Sequence, residues 1–313
     1  MPSLTISMGT TPDTLTLQQR IDAASAGSTL NLSIWSYTAG ATVAKALTIV
    51  GGTLNVASGD GLTITASNVT VDGITIVGPQ YAAYDVTQRG IYAHGASGAN
   101  ISGLVIQNCD ISQFGCSAIW TIWTTSPSIY HNALHNLAFS GVTMQGSTGG
   151  SISTNTVQRI GYGGTTGLPG AGTNSYGICC DYSVTGTESS DVVVADNVVE
   201  DVPLWHGLDT HSGVRVQFLR NTVRRCSRGL FLTAGGPSPL NLVITDNQIL
   251  SPDPVTVNLV PITLASVTGA TFTGNAITGW GAATAPATNT QPWYDYQGLS
   301  TGLVDGGGNV VTP

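Results

Sequence analysis

His206, Asp209 and His211 fall within six residues, and Asp181 lies thirty residues before His211. Imidazoles and carboxylates are the side chains best suited to moving protons near neutral pH, provided they reach a common substrate atom. Asp209 and His211 are two apart, so on an extended strand they share a face. For Asp181 to join them, the fold must lay distant segments side by side in a fixed register.

The composition points to such a fold. Of 313 residues, 40 are Gly and only 8% are charged, which argues against both disorder and a helical protein with charged outer faces. Ser, Thr, Asn, Gly, Val and Ile dominate, the residues of strands and tight turns. The net charge of −8 argues against nucleic acid as a partner. Arg215, Arg220, Arg224, Arg225 and Arg228 crowd into fourteen positions, as either a solvated edge or an anion-binding patch. The five cysteines show no metal-binding spacing, and most of them read as small packing residues. No apolar run reaches the ~20 residues of a membrane span, and no basic segment followed by an apolar stretch marks a signal peptide.

An internal repeat supplies the register. Asn108, Asn132, Asn155, Asn197, Asn221, Asn247, Asn275 and Asn309 each precede a small or β-branched residue, mostly 23–28 residues apart, and Asp72 looks like an earlier member. A strand-rich repeat of this length predicts a solenoid. Asn suits the position because it tolerates left-handed backbone and can hydrogen-bond to the Asn of the next coil. Each unit also holds a Gly or small residue followed by an alternating run, such as Gly177-Ile-Cys-Cys-Asp181 and Gly207-Leu-Asp-Thr-His211. The expected fold is all-β: a right-handed parallel β-helix with three short strands per turn, forming one domain over 1–313. Residues 1–32 form the cap and entry, with a helix starting at Thr11-Pro-Asp13 and carrying Leu15, Leu17, Ile21 and Ala24; coils fill 33–313.

Taking Ile91, Ile119, Val142, Ile178, Leu208, Leu230 and Ile262 as inward sets the strand phase. One outward column then reads Tyr92, Trp120, Thr143, Cys179, Asp209, Phe231, Thr263. The next reads His94, Ile122, Gln145, Asp181, His211, Thr233, Ala265. A third, before the Gly, includes Arg89, Tyr176, His206 and Arg228. Asp181, His206, Asp209, His211 and Arg228 meet as candidate catalytic groups, with Tyr92, Trp120, Gln145, Tyr176, Arg215 and Phe231 as candidate substrate contacts. A carboxylate beside His211 should raise its pKa, and Arg228 should favour an ionised Asp209. His94, His131 and His135 read as structural. Two long loops, the Gly-rich one between Arg159 and Ser175 and Val184–Ser190, are placed to wall a groove.

Thr48-Ile-Val-Gly-Gly, Asn68-Val-Thr-Val-Asp-Gly-Ile-Thr-Ile76 and the Asn-phased coils resemble the pectate-lyase-like β-helix superfamily. That resemblance implies a polysaccharide lyase, hydrolase or uronate epimerase, or a phage tailspike, which is usually a homotrimer. The segment His206-Gly-Leu-Asp-Thr-His-Ser212 is similar to the catalytic Tyr-Gly-Phe-Asp-Pro-His segment of mannuronan C5-epimerases and related alginate enzymes. Asp209 and His211 match it, His206 stands at the Tyr position and Thr210 replaces Pro.

The leading expectation is therefore an enzyme acting on a polysaccharide laid across one sheet. In a lyase or epimerase, His211 or His206 takes the C5 proton, Asp209 orients the base, and Arg228 or a cation neutralises a uronate carboxylate. In a hydrolase, Asp181 and Asp209 act as acid and base at a Cβ separation of roughly 7–8 Å, as in inverting enzymes. No cofactor is required; calcium held by Asp181 and Asp209 is the one metal considered. The rival is a non-enzymatic trimeric phage tail or surface component. Either way, an extracellular or virion-surface location is expected.

Overall fold

The computed structural model describes residues 11–162, 174–234, 240–250, 260–280, 294–295 and 299–312. The chain winds as a right-handed parallel β-helix. Consecutive coils stack through parallel pairings, for example Val193 on Gln217 in one sheet and Ile178 on Leu208 in another. One sheet of eleven strands runs from Thr29–Asn31 to Thr301–Gly307. The other two strands of each coil line the remaining faces; in Val198–His211 and Thr222–Thr233 they run together as single long strands.

Every second side chain points into the solenoid. The residues taken as inward, from Ile91 through Ile119, Val142, Ile178, Leu208 and Leu230 to Ile262, are all fully buried and stack in a single file. Burying one such Leu or Ile contributes about 1.5–3 kcal/mol, so a one-residue slip would lose many such terms at once. Gly207 keeps the stack tight, because a Cβ there would lie 2.5 Å from Val223 and 2.9 Å from the carbonyl of Gly229. Cys109, Cys116, Cys179, Cys180 and Cys226 are all buried and unpaired with one another, and Cys109, Cys180 and Cys226 pack in the core.

At one corner, six successive asparagines from Asn132 to Asn275 each donate from Nδ2 to Oδ1 of the next, ending on Asn309, at 2.9–3.0 Å. The same Oδ1 atoms accept the backbone N–H of the preceding Asn at 3.0 Å. Two details differ from the sequence reading. Asn108 and Asp72 are not rungs: Cys109 occupies the ladder position and donates its N–H to Asn132, while Asp72 accepts from the side chains of Gln107 and Asn108. The left-handed backbone also falls one residue earlier, on His131, Thr154, Asp196, Arg220 and Asp246, leaving each Asn side chain free to turn inward.

The entry helix is Leu17–Ala23, shorter and later than expected. Thr16 is its N-cap in a capping box with Gln19, and Leu17 and Ile21 are its buried face. Thr11–Pro12 instead forms a strand against Trp35 and Ser36, and Asp13 accepts from Arg20 and Tyr37. Leu15 is exposed.

Asn221→Ala removes an acceptor from Asn197 and a donor from Val194 O and Asn247, all inside the solenoid. We expect it to cost about 3 kcal/mol of unfolding free energy, measured by urea denaturation, whereas Asn108→Ala should cost under about 1 kcal/mol.

Candidate functional site

The site lies where Tyr176–Asp181, Val198–His211 and Thr222–Thr233 run side by side. The observed register pairs Tyr176 with His206 and Arg228, Cys179 with Asp209 and Phe231, and Asp181 with His211 and Thr233. Before His206 the register slips between Val202 and His206, where Val198–His211 carries two more residues than the following coil. That bulge holds Trp205, whose ring stacks on His206 at 4.8 Å. Phe231 stacks on the same imidazole at 4.3 Å, and the Arg228 guanidinium lies 4.9 Å over Trp205.

The arrangement fixes where the protons sit. Arginine only donates, so Arg228 Nη1 at 2.9 Å makes His206 Nε2 an acceptor. The His206 proton must then be on Nδ1, where it is donated to Asp209 Oδ2. Asp209 Oδ1 meets the Cys179 thiol at 3.3 Å and His211 Nδ1 at 3.4 Å. His211 Nδ1 thus lies at ion-pair distance from Asp209 without a hydrogen bond between them. The His206 and Asp209 side chains are 0% exposed, while His211 is 26% exposed. A chain from half-buried Arg228 through the enclosed His206 and Asp209 therefore ends beside the accessible imidazole of His211.

Burial governs the electrostatics. It pushes the Asp209 carboxyl well above the usual range, against the Cys179 hydrogen bond and the Arg228 charge. Burial and the neighbouring Arg228 charge push His206 well down, keeping it neutral as its hydrogen bonds require. His211 is lowered by burial as well. Both directions reverse the sequence expectation for Asp209 and His211, because desolvation outweighs the neighbouring charges. Asp181 is raised from 3.8 to about 6, again by burial, while Tyr182 N at 2.7 Å and Gln145 Nε2 at 3.4 Å hydrogen-bond to it. Tyr176 packs edge-on against both imidazoles, at 5.6 Å from His206 and 5.8 Å from His211, and its phenol is pushed up by burial.

The aromatic residues continue up the sheet. Trp120 Nε1 donates to Gln145 Oε1 at 3.1 Å, and its indole stacks on Phe139 at 6.0 Å. Phe139 also contacts Tyr176 and Tyr84. Tyr92 lies under the Arg89 guanidinium at 3.5 Å, with Arg89 paired to Asp60. Trp205, Phe139 and Tyr84 were missed in the sequence because each lies off the alternating columns. Tyr84 belongs to a segment lining a cavity of about 550 Å³ with Tyr81, Asp85 and Gln88.

Several expectations change. Arg215 does not join the site; its guanidinium is engaged by Asp191, at 2.6 Å to each oxygen, on the corner beyond His211. Arg220, Arg224 and Arg225 likewise pair with Asp196, Glu200 and Asp201 of the preceding coil, so the arginine run is a charge-matched edge rather than an anion patch. His206 and Asp209 are enclosed, so neither reaches a substrate atom. The two-carboxylate hydrolytic arrangement loses Asp209 for that reason. Calcium fits poorly, since Asp209's oxygens face His206, Cys179 and His211, leaving one carboxylate where six to eight oxygens are needed. His135 pairs with Asp110, and His94 stacks on Tyr92. Residues 184–190 are tied to the Asp181 strand by Ser189 Oγ, which donates to Asp181 O at 2.7 Å. Most of the Gly-rich loop, 163–173, lies outside the described residues.

The family described as "Right handed beta helix region" matches residues 106–277. No curated protein matches in sequence. Among solved structures, the periplasmic alginate epimerase AlgG is 15% identical over 92% of this chain and 61% of its own, with a TM-score of 0.56. The chain thus spans under two thirds of that protein. The Dettilon tailspike protein is 15% identical over 90% of this chain and 60% of its own, TM-score 0.52. Pectate lyase Pel9A is 12% identical over 94% and 72%, TM-score 0.52. At these identities the likeness is one of fold.

Asp181 supplies a test of the electrostatics that needs no substrate. Folded Asp181 protonates near 6 and the unfolded residue near 3.8, so between those values the native state binds the extra proton. Its contribution is unfavourable above about pH 6 and fades as pH falls. Asp181→Asn should therefore be more stable than wild type at pH 7 by ~2 kcal/mol. The gap should shrink towards zero near pH 4 in urea unfolding.

Proposed function

The chain belongs to the right-handed β-helix family, and from that premise we propose that it is a polysaccharide-acting enzyme that abstracts a proton from a uronate unit and eliminates the glycosidic bond. The observation that carries this reading is the Arg228–His206–Asp209 chain, with His206 and Asp209 enclosed, that ends beside the partly exposed His211. Such an arrangement sets one accessible imidazole beside an enclosed carboxylate, where its unprotonated nitrogen can serve as a base. His211, kept neutral by burial, removes the proton from C5. The C–H electron pair becomes the C4–C5 double bond, and the C4–O4 bond breaks. Asp181, protonated below about 6, gives its proton to the departing O4. Its neighbour Gln145 is the neutral donor available to a uronate carboxylate.

His211 and Asp181 sit on adjoining strands of one surface. They approach a sugar from the same side, which suits elimination of H5 and O4 from one face. Epimerisation would need the returning proton from the opposite face. His206 and Asp209 are positioning residues here, and Trp120, Tyr92 and Phe231 offer ring surfaces to sugar C–H faces, whereas Tyr176, expected to touch substrate, is only 6% exposed and packs behind them. An extracellular or virion-surface location suits a polymer substrate.

The same aromatic surface favours a second reading, a non-enzymatic glycan-binding tail or surface component, in the trimeric form expected of tailspikes. It predicts binding of oligosaccharides without turnover.

Screening uronate and neutral polysaccharides for products with the ultraviolet absorbance of a C4–C5 double bond separates the readings. With a cleaved polymer in hand, His211→Ala should lower kcat by about 10²–10⁴-fold, and undiminished turnover would sink the proposal. His206→Gln should lower kcat with little change in KM. The profile of kcat/KM should fall at low pH as His211 protonates, and again above about 6 as Asp181 ionises. Asp181→Asn should abolish the upper limb along with most activity.

A further inference from the structure

The Cys179 thiol has a second group within reach besides Asp209. One donor atom each from Cys179, Asp181 and His211 lies within 4.8 Å of the other two. The three come from two adjoining strands, with Cys179 and Asp181 two apart on one strand and His211 paired beside Asp181. Sulfur, carboxylate oxygen and imidazole nitrogen are a donor set for a borderline or soft divalent ion, not for calcium or magnesium. Three protein ligands with one side open also match the layout in which zinc keeps a fourth position for water. Contraction by about 1 Å brings ligands at this spacing to the separations of a tetrahedral site with zinc bonds of 2.0–2.3 Å.

We propose that Cys179, Asp181 and His211 form a binding site for a divalent transition ion of the zinc or cobalt class, and that its occupancy blocks His211 and so inhibits the enzyme. The inhibitory half rests on the role given to His211 above; the binding half does not.

The proton balance closes with the surrounding water. The thiol already hydrogen-bonds to Asp209 Oδ1 at 3.3 Å. On binding, the S–H bond breaks, its proton is released to water, and the sulfur lone pair forms the bond to the metal as aqua ligands leave. A neutral imidazole always has one unprotonated ring nitrogen, so His211 ligates without losing a proton. Asp181 binds as the carboxylate. Nothing is oxidised or reduced. The other four cysteines carry no such set: Cys180 on the same strand faces the core, and Cys109, Cys116 and Cys226 fall in no comparable group among the described residues.

Cobalt(II) titration of the chelator-treated full chain is the test, because a cobalt–thiolate bond gives a charge-transfer band in the near ultraviolet and no substrate is required. The expected result is a band saturating at one cobalt per chain. It should disappear in Cys179→Ser, and Asp181→Asn should require at least about tenfold more cobalt, the equivalent of ~1.4 kcal/mol. Absence of the band in wild type, or its persistence in Cys179→Ser, overturns the proposal. Far-ultraviolet circular dichroism checks that each variant keeps the β fold; should Cys179→Ser not fold, His211→Gln replaces it, with the same loss of affinity expected as for Asp181→Asn. If the band forms but zinc leaves turnover of a cleaved polymer unchanged, the inhibitory half is overturned. If His211→Ala leaves turnover unchanged while the band stands, the catalytic reading fails and the metal site does not.

Discussion

Parallel register is the constraint on which the rest of this molecule depends. Each coil contributes too little apolar surface to fold alone, so stability comes from stacking side chain on like side chain. The asparagine ladder holds that stack at one corner, where every rung satisfies a carbonyl of the coil before it as well as its neighbours. With the corner pinned, the phase of the following strands is set, and side chains meet that stand 22 to 36 residues apart in the chain. The ion pairs of the outer edge obey the same spacing: Arg215, Arg220 and Arg225 each find an acid 24 residues earlier. Being exposed, those pairs add little stability; they show how strictly the coil length is kept through this region.

The site is a departure from that regularity. In its outward column Thr143, Cys179 and Thr263 are also buried, and Asp209 is a carboxyl fully enclosed among them. The two-residue bulge before His206 brings Trp205 across the imidazole, and Phe231 closes it from the following coil. Enclosure changes the chemistry more than proximity does. A solvated Asp209 would be a plain carboxylate, and a solvated His206 a competing base. Enclosed beside the half-buried Arg228, they are kept from substrate, and the accessible His211 is the imidazole left to exchange protons with it. Asp181, at the edge of the same enclosure, is shifted far enough to keep its proton in mildly acidic solution.

That shift has a cost in stability. A carboxyl held above its ordinary pKa is a group the folded state would sooner keep neutral, and at neutral pH the protein tolerates it as a charge. The Cys179 thiol, buried against Asp209, is a second polar group the core does not need. Strain of this kind, collected at one place in an otherwise regular stack, is what separates a working surface from scaffold.

Sequence alone determined the coil period, the three-strand turn, the inward file from Ile91 to Ile262 and the three outward columns, because alternation and repeat length are properties of the chain that stacking merely repeats. It also brought Asp181 beside His211 and His206 between Tyr176 and Arg228. It misplaced the first ladder rungs at Asp72 and Asn108, where a Cys substitutes for the expected Asn and the motif's letters lie one or two positions early. What only the tertiary structure decided was which outward residues are enclosed. Arg215 pairs with Asp191, His206 and Asp209 are sealed from solvent, and the pKa directions of Asp209 and His211 follow desolvation rather than neighbouring charge. Column position says which way a side chain points; whether water remains beside it depends on bulges and rings supplied by other coils, and that sets the chemistry.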